Sequence, residues 1–354
     1  MVPVGLLFCY RTASASQRKP TYVGIGRFLP NSTALAFFHL FSSPVISSSL
    51  LLPSTLISVP SYLNTSSPLL YNYNWHTTTT SINMSHTSNK SLHALSVENK
   101  GFQAYPLFWT SQHLEIVGCR FVEVEVTSDL QGRYPQQDGR LTYYATRLAT
   151  SPVDNMKTHY VRSLFHGTGL LEFVRVAAAF HYAGRLVNVP VCNVFRIAGH
   201  ILVPHPEPVI GYYSYKADED RCVRFTPRVG PSGTWNLPIQ RLYRRRLARV
   251  TPEHWTRDPY LVCVMLSLAQ IQWRSDTTQQ PRLYLVRLLV THRDDQLNAY
   301  VYKSNFPSQL LECLKSPSRP MSDFVFPSIE VAKVAFEPYE TFGGRVVEAL
   351  IGPQ

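Results

Sequence analysis

The sequence predicts an α+β domain, a mixed and mainly antiparallel sheet with scattered helices, preceded by a disordered N-terminal segment. Three observations carry that expectation. Hydrophobic residues make up 45% of the 354 and charged residues only 16%, so the chain can bury a substantial core. Its 26 prolines argue against a coiled coil or a bundle of long helices. After Glu98, strand-like and helix-like periods follow one another irregularly, without the regular alternation that builds a parallel sheet.

Residues 114–126 are rich in Val, Ile and Phe, and their end sets Phe121, Glu123 and Glu125 against Val122, Val124 and Val126, the period of a half-exposed strand. Residues 160–165 read as a short strand, His166-Gly167-Thr168-Gly169 as a glycine turn, and residues 170–180, with their leucines and alanines, as a helix. Residues 187–203 and 209–215 are β-like runs broken by Pro190, Pro204, Pro206 and Pro208. Residues 258–273 carry the clearest helical signal. Asp258 can cap, Pro259 suits the first turn, and Leu261, Met265, Leu268 and Ile271 keep a helical repeat. Residues 283–291 and 298–303 flank the polar turn Arg293-Asp294-Asp295-Gln296 as a β-hairpin, followed by a short helix at 307–314. A last strand at 329–336 and a last helix at 339–350 complete the pattern.

The chain divides in two at residue 97. Residues 1–97 contain Arg11, Arg18, Lys19, Arg27 and Lys90 but no Asp or Glu, and much of the segment is Ser, Thr, Leu, Pro and Asn. Such a composition offers little periodic apolar surface to bury, so a disordered segment precedes a single globular domain at 98–354. The acid-free segment has the composition of an organelle transit peptide, which would direct the chain to mitochondria, while residues 34–59 form an uncharged run long enough to span a bilayer. Pro44, Pro53 and several serines dilute that run as a membrane helix. Met84 opens Met84-Ser85-His86-Thr87, an alternative start that would remove both signals.

Function-bearing patterns are sparse. The six cysteines lie far apart with no Cys-x-x-Cys pair, which excludes a local zinc knuckle or redox dithiol and suits an intracellular, cytoplasmic chain with reduced thiols. Neither a Gly-x-Ser-x-Gly elbow nor a phosphate-binding Gly-x4-Gly-Lys-Ser/Thr loop is present. Glu123, Glu125 and Asp129 could supply metal-binding carboxylates, but an amphipathic strand explains the two glutamates equally well; His200 and His205 are isolated. Arg241, Arg244, Arg245, Arg246 and Arg249 concentrate charge that can attract an acidic partner or nucleic acid, or that can serve as a solvated, salt-bridging linker.

The segment Leu164-Phe165-His166-Gly167-Thr168 resembles the first motif of the ADP-ribosyltransferases. The resemblance implies a split sheet that clamps NAD, with His166 on the ribose, Tyr213 of Gly211-Tyr212-Tyr213-Ser214-Tyr215 stacked on nicotinamide, and Glu330 steadying the positive charge of the transition state. At domain scale, His166-Gly167-Thr168, Asp258-Pro259-Tyr260 with Leu268-Ala269-Gln270, and Pro338-Tyr339-Glu340-Thr341-Phe342 are similar to uncharacterised proteins of filamentous ascomycete fungi over about residues 155–350. That second resemblance implies no activity. The leading expectation is therefore a non-catalytic binding protein, with an NAD-using transferase and a protein anchored through residues 34–59 as alternatives.

Overall fold

The computed structural model describes residues 90–125, 139–199, 209–225, 236–276, 281–322 and 324–352. All of them belong to one compact unit, residues 79–354. The apolar run 34–59 and Met84 lie outside the described residues. The globular fold takes in residues upstream of Glu98: a first helix, α1 (Leu92–Glu98), is capped by the Ser91 hydroxyl and sends Leu92 and Leu95 into the core.

A mixed seven-stranded sheet forms the centre, in the order β1 (Phe121–Val124), β9 (Ile329–Ala335), β8 (Asn298–Pro307), β7 (Leu283–His292), β6 (Val209–Tyr215), β5 (Asn193–Ile197) and β2 (Leu171–Val176). Only β1 with β9 and β6 with β7 run parallel; the other neighbours are antiparallel, so the fold is α+β as the sequence predicts. Strands β3 (Phe180–Tyr182) and β4 (Arg185–Asn188) form a separate ribbon.

Helices cover both faces. On one, α7 (Pro259–Ser275) packs beneath the β3–β4 ribbon with α2 (Ser111–Val117) and α8 (Ser308–Lys315); on the other lie α3 (Gly139–Thr150), α4 (Asp154–Thr168) and α9 (Tyr339–Ile351). Side chains alternate along the strands to feed the two cores: Tyr213 and Tyr215 face α7, whereas Ile210 and Tyr212 face α4. Helix α7 is buried around most of its circumference because it is enclosed between the sheet and the ribbon, which its unbroken apolar run allows. Gly211 is the close-approach point. A Cβ there would lie 2.5 Å from Leu268 Cδ1 and 2.9 Å from Leu288 Cδ1.

Two expectations are overturned between residues 154 and 180. Residues 160–165 belong to α4, in which Lys157, Tyr160, Val161, Leu164 and Phe165 repeat at helical spacing, and Gly169 ends the helix with φ 69°. Residues 171–176 form the edge strand β2, not a helix: Phe173, Val174 and Val176 favour a strand that pairs with β5, the helix-favouring Leu170 and the alanines at 177–179 lie outside it, and Ala177 leaves the strand with φ 78°. Residues 114–126 split into α2 and β1 across Gly118, whose φ is 75°. The helices α3 and α5 (Ala217–Arg224) add to the predicted set.

One polar cluster ties the layers together. Asp258 caps α7 by accepting from the Tyr260 amide (2.9 Å), and it also accepts from Tyr215 Oη (2.6 Å) and from Arg221 Nη1 and Nη2 (2.7 Å each). Arg221 Nε donates to the Leu107 carbonyl at 2.6 Å, and the Arg221 and Asp258 side chains are both 0% exposed. Burial disfavours the guanidinium charge, but the Asp258 contact outweighs it and holds the Arg221 pKa above its ordinary value. A second buried cation, Lys157 on α4, donates to the Leu148 carbonyl (2.7 Å) at the end of α3. Burial lowers its pKa from 10.5 to about 8, despite the opposing field of Asp154.

Asp258→Ala leaves the Arg221 charge buried and unpaired, and is expected to cost about 3–5 kcal/mol in denaturant unfolding. The double variant Arg221→Met, Asp258→Leu should recover much of that loss, since no lone charge remains. Lys157 gives a pH signature. Between pH about 8 and 10.5 the folded chain has released its proton while the unfolded chain still holds one, so stability contributed by this site rises with pH across that window. The stability of wild type minus that of Lys157→Met, taken from unfolding curves at each pH, should rise across that window; the difference removes the opposing effect of the buried thiols, whose raised pKa values lower stability over the same range.

Candidate functional site

The transferase-like residues are placed far apart. His166 is exposed in the last turn of α4, on one side of the sheet. Tyr213 is 1% exposed on β6, packed on the opposite side beneath α7 against Tyr215 and Tyr260. Glu330 is exposed on β9, separated from β6 by β8 and β7, about 14 Å at the usual strand spacing. The structure does not bring the three together, and burial leaves the Tyr213 ring no face to offer a nicotinamide. Burial also pushes the Tyr213 hydroxyl well above its ordinary pKa.

Other candidate chemistry is also absorbed by structure. Glu123 pairs with Arg257 (2.7 Å), and Asp129, His200 and His205 lie outside the described residues. Among the described residues no group of three His, Cys, Asp or Glu is placed to hold a metal. Cys119, Cys192 and Cys263 are buried free thiols whose pKa burial raises to about 12, which leaves them poor nucleophiles near neutral pH. No described helix is long and apolar enough to cross a membrane.

The arginine run behaves differently. It is a helix, α6 (Leu237–Val250), and not the salt-bridging linker that its charge also allowed. Asn236 caps its start by accepting from the Ile239 amide (3.2 Å), Pro238 occupies its first turn, and Thr251 closes its end by donating to the Leu247 carbonyl (2.9 Å). No residue of α6 is buried, and Arg241, Arg244, Arg245, Arg246 and Arg249 are all exposed. Tyr243, Leu247 and Val250, at i, i+4 and i+7, are half-buried on one stripe, while Leu237 (60% exposed), Ile239 (39%) and Leu242 (47%) remain in solvent.

Electrostatics make this helix costly as it stands. Arginines elsewhere find anions: Arg196 with Glu172, Arg257 with Glu123, Arg293 with Glu219, Arg319 with Glu312. None of the five on α6 has a carboxylate partner among the described residues, and the helix itself carries no acid. Instead they repel one another at i, i+4 (Arg241 with Arg245, Arg245 with Arg249) and i, i+3 (Arg241 with Arg244, Arg246 with Arg249). Each such pair costs roughly 0.2–0.5 kcal/mol. An anionic surface laid against α6 would turn that repulsion into attraction.

No protein-family model matches the chain, and no curated protein matches it either. The geometry of α6 therefore bears the functional argument. His166→Ala, at an exposed helix position without a tertiary partner, is expected to change stability by less than about 0.5 kcal/mol, checked by thermal unfolding.

Proposed function

We propose that the chain is a non-catalytic binding protein that docks an acidic protein surface through α6. The single observation behind this reading is the exposed run of five arginines that no described carboxylate neutralises. Charge complementarity defines the partner's sign, and the composition of the helix defines its class. Ile239 and Leu242, about 60° apart around the helix and flanking Arg246, sit exposed and need apolar atoms to cover them, which phosphates do not offer. Nucleic-acid surfaces add stacking aromatics, whereas the one ring on α6, Tyr243, is half-buried. A membrane-lying helix needs a continuous exposed apolar face; here Tyr243, Leu247 and Val250 are half-buried, and Arg246 lies between the directions of Ile239 and Leu242. An acidic protein surface with a small apolar centre satisfies both components.

The test compares full-length wild type with the triple variant Arg244→Gln, Arg245→Gln, Arg246→Gln, against a synthetic helical peptide of glutamates with interspersed leucines. Three exposed charge pairs at about 0.5 kcal/mol each give an expected loss of about tenfold in affinity, with a matching loss in wild type as salt rises. Circular dichroism of the variant should be unchanged, since the three side chains are exposed. Duplex DNA or phosphatidylserine vesicles bound more tightly than the peptide at equal ionic strength would overturn the choice of partner.

A further inference from the structure

A cavity of about 440 Å³ lies between the C-terminal ends of α7 and α8 and the turn of the β3–β4 ribbon, and none of its described walls belongs to α6. That volume falls within the range of small-molecule sites, roughly 300–1,000 Å³. Two cations line it together. Arg274 stands in the last turn of α7 and Lys315 in the last turn of α8, and both are exposed. Neither has a carboxylate partner among the described residues.

The other polar walls are committed. Gln270 accepts from the His181 amide (2.9 Å) and donates to the His181 carbonyl (2.8 Å), which ties α7 to the ribbon. The Asp276 side chain is only 2% exposed; its carboxylate accepts from Tyr284 Oη (3.1 Å) and lies 3.7 Å from Arg282 Nη1, so it neither opens to the cavity nor stands uncompensated. His181 Nδ1 lies 3.3 Å from the Ala179 carbonyl, which can only accept, so in the neutral ring Nε2 is the acceptor that meets Arg274 Nη1 at 3.5 Å. That contact orients the guanidinium and leaves its other N–H groups without a partner. Trp273 is half-buried beside them, with Lys315 Nζ 5.9 Å from the centre of its ring.

Charge and shape together select a ligand. A phosphate monoester carries about −1.5 to −2 at pH 7, which matches two free cations where a carboxylate would match one, and its three acceptor oxygens can serve a guanidinium and an ammonium at once. The Trp273 indole offers a flat apolar wall to the group that the phosphate esterifies. We infer that this cavity binds a small phosphate monoester bearing a flat ring, with its phosphate on Arg274 and Lys315 and its ring on Trp273.

The test titrates the full-length chain with phenyl phosphate, inorganic phosphate and phenol by calorimetry. Expected is one phenyl phosphate per chain, bound about fivefold more tightly than inorganic phosphate through the ring contact, and no saturable binding of phenol. Arg274→Gln and Lys315→Gln, both at exposed positions, should each weaken phenyl phosphate about fivefold with unchanged thermal unfolding. Trp273→Leu should bring phenyl phosphate to the level of inorganic phosphate. The triple variant Arg244→Gln, Arg245→Gln, Arg246→Gln should bind phenyl phosphate as wild type does, which separates this cavity from α6. Absence of saturable binding to folded wild type would overturn the inference. So would binding unchanged in folded Arg274→Gln or Lys315→Gln, binding lost in the triple variant alone, a ring preference that survives Trp273→Leu, or phenol that binds as well as its phosphate ester.

Discussion

The buried pair of Arg221 and Asp258 is the constraint on which the described fold depends. Asp258 stands where the chain enters α7, so the carboxylate that starts the longest helix also anchors β6 through Tyr215 and α5 through Arg221. The Arg221 guanidinium extends the same network to the Leu107 carbonyl, fixing the segment between α1 and α2. A buried ion pair adds little net stability compared with apolar side chains of the same shape, because two charges must be stripped of water. Its contacts are geometric: they join α7, β6, α5 and the segment at Leu107 in one arrangement.

Much of the fold was readable in the sequence wherever the apolar pattern was long. Helix α7 announces itself through Asp258, Pro259 and seventeen residues of near-continuous apolar character, and the β7–β8 hairpin through two strands around a polar turn. The failure around His166 has a physical cause. Tyr160, Val161, Leu164 and Phe165 are two turns of one helical stripe, but within a six-residue window they look like a strand. Gly169 then ends a helix instead of opening a turn. Residues 171–176 carry the strand-favouring Phe173, Val174 and Val176, a signal diluted in the wider window by Leu170 and the alanines at 177–179, and pairing with β5 completes the strand.

The site was legible in part. Five arginines within nine residues are visible to any reader, but that they are exposed on a capped helix with no carboxylate partner among the described residues required the positions of the described acids. The cavity between α7, α8 and the ribbon was illegible, since its described walls come from segments spread between His181 and Lys315. Arg274 and Lys315 look in sequence like any other basic residues near a helix end. Only their meeting on one cavity sets them apart.

The parallel pairing of β1 with β9 joins Phe121 to Ile329, whereas β7, β8 and β9 follow one another as a local meander. Loop-closure entropy favours short connections, so the meander can assemble first and β1 completes the sheet late. During synthesis, β1 leaves the ribosome long before its neighbour exists. The exposed Val122 and the free backbone edge of β9 are then the surfaces on which a half-made chain can pair with another, and docking β1 closes that route.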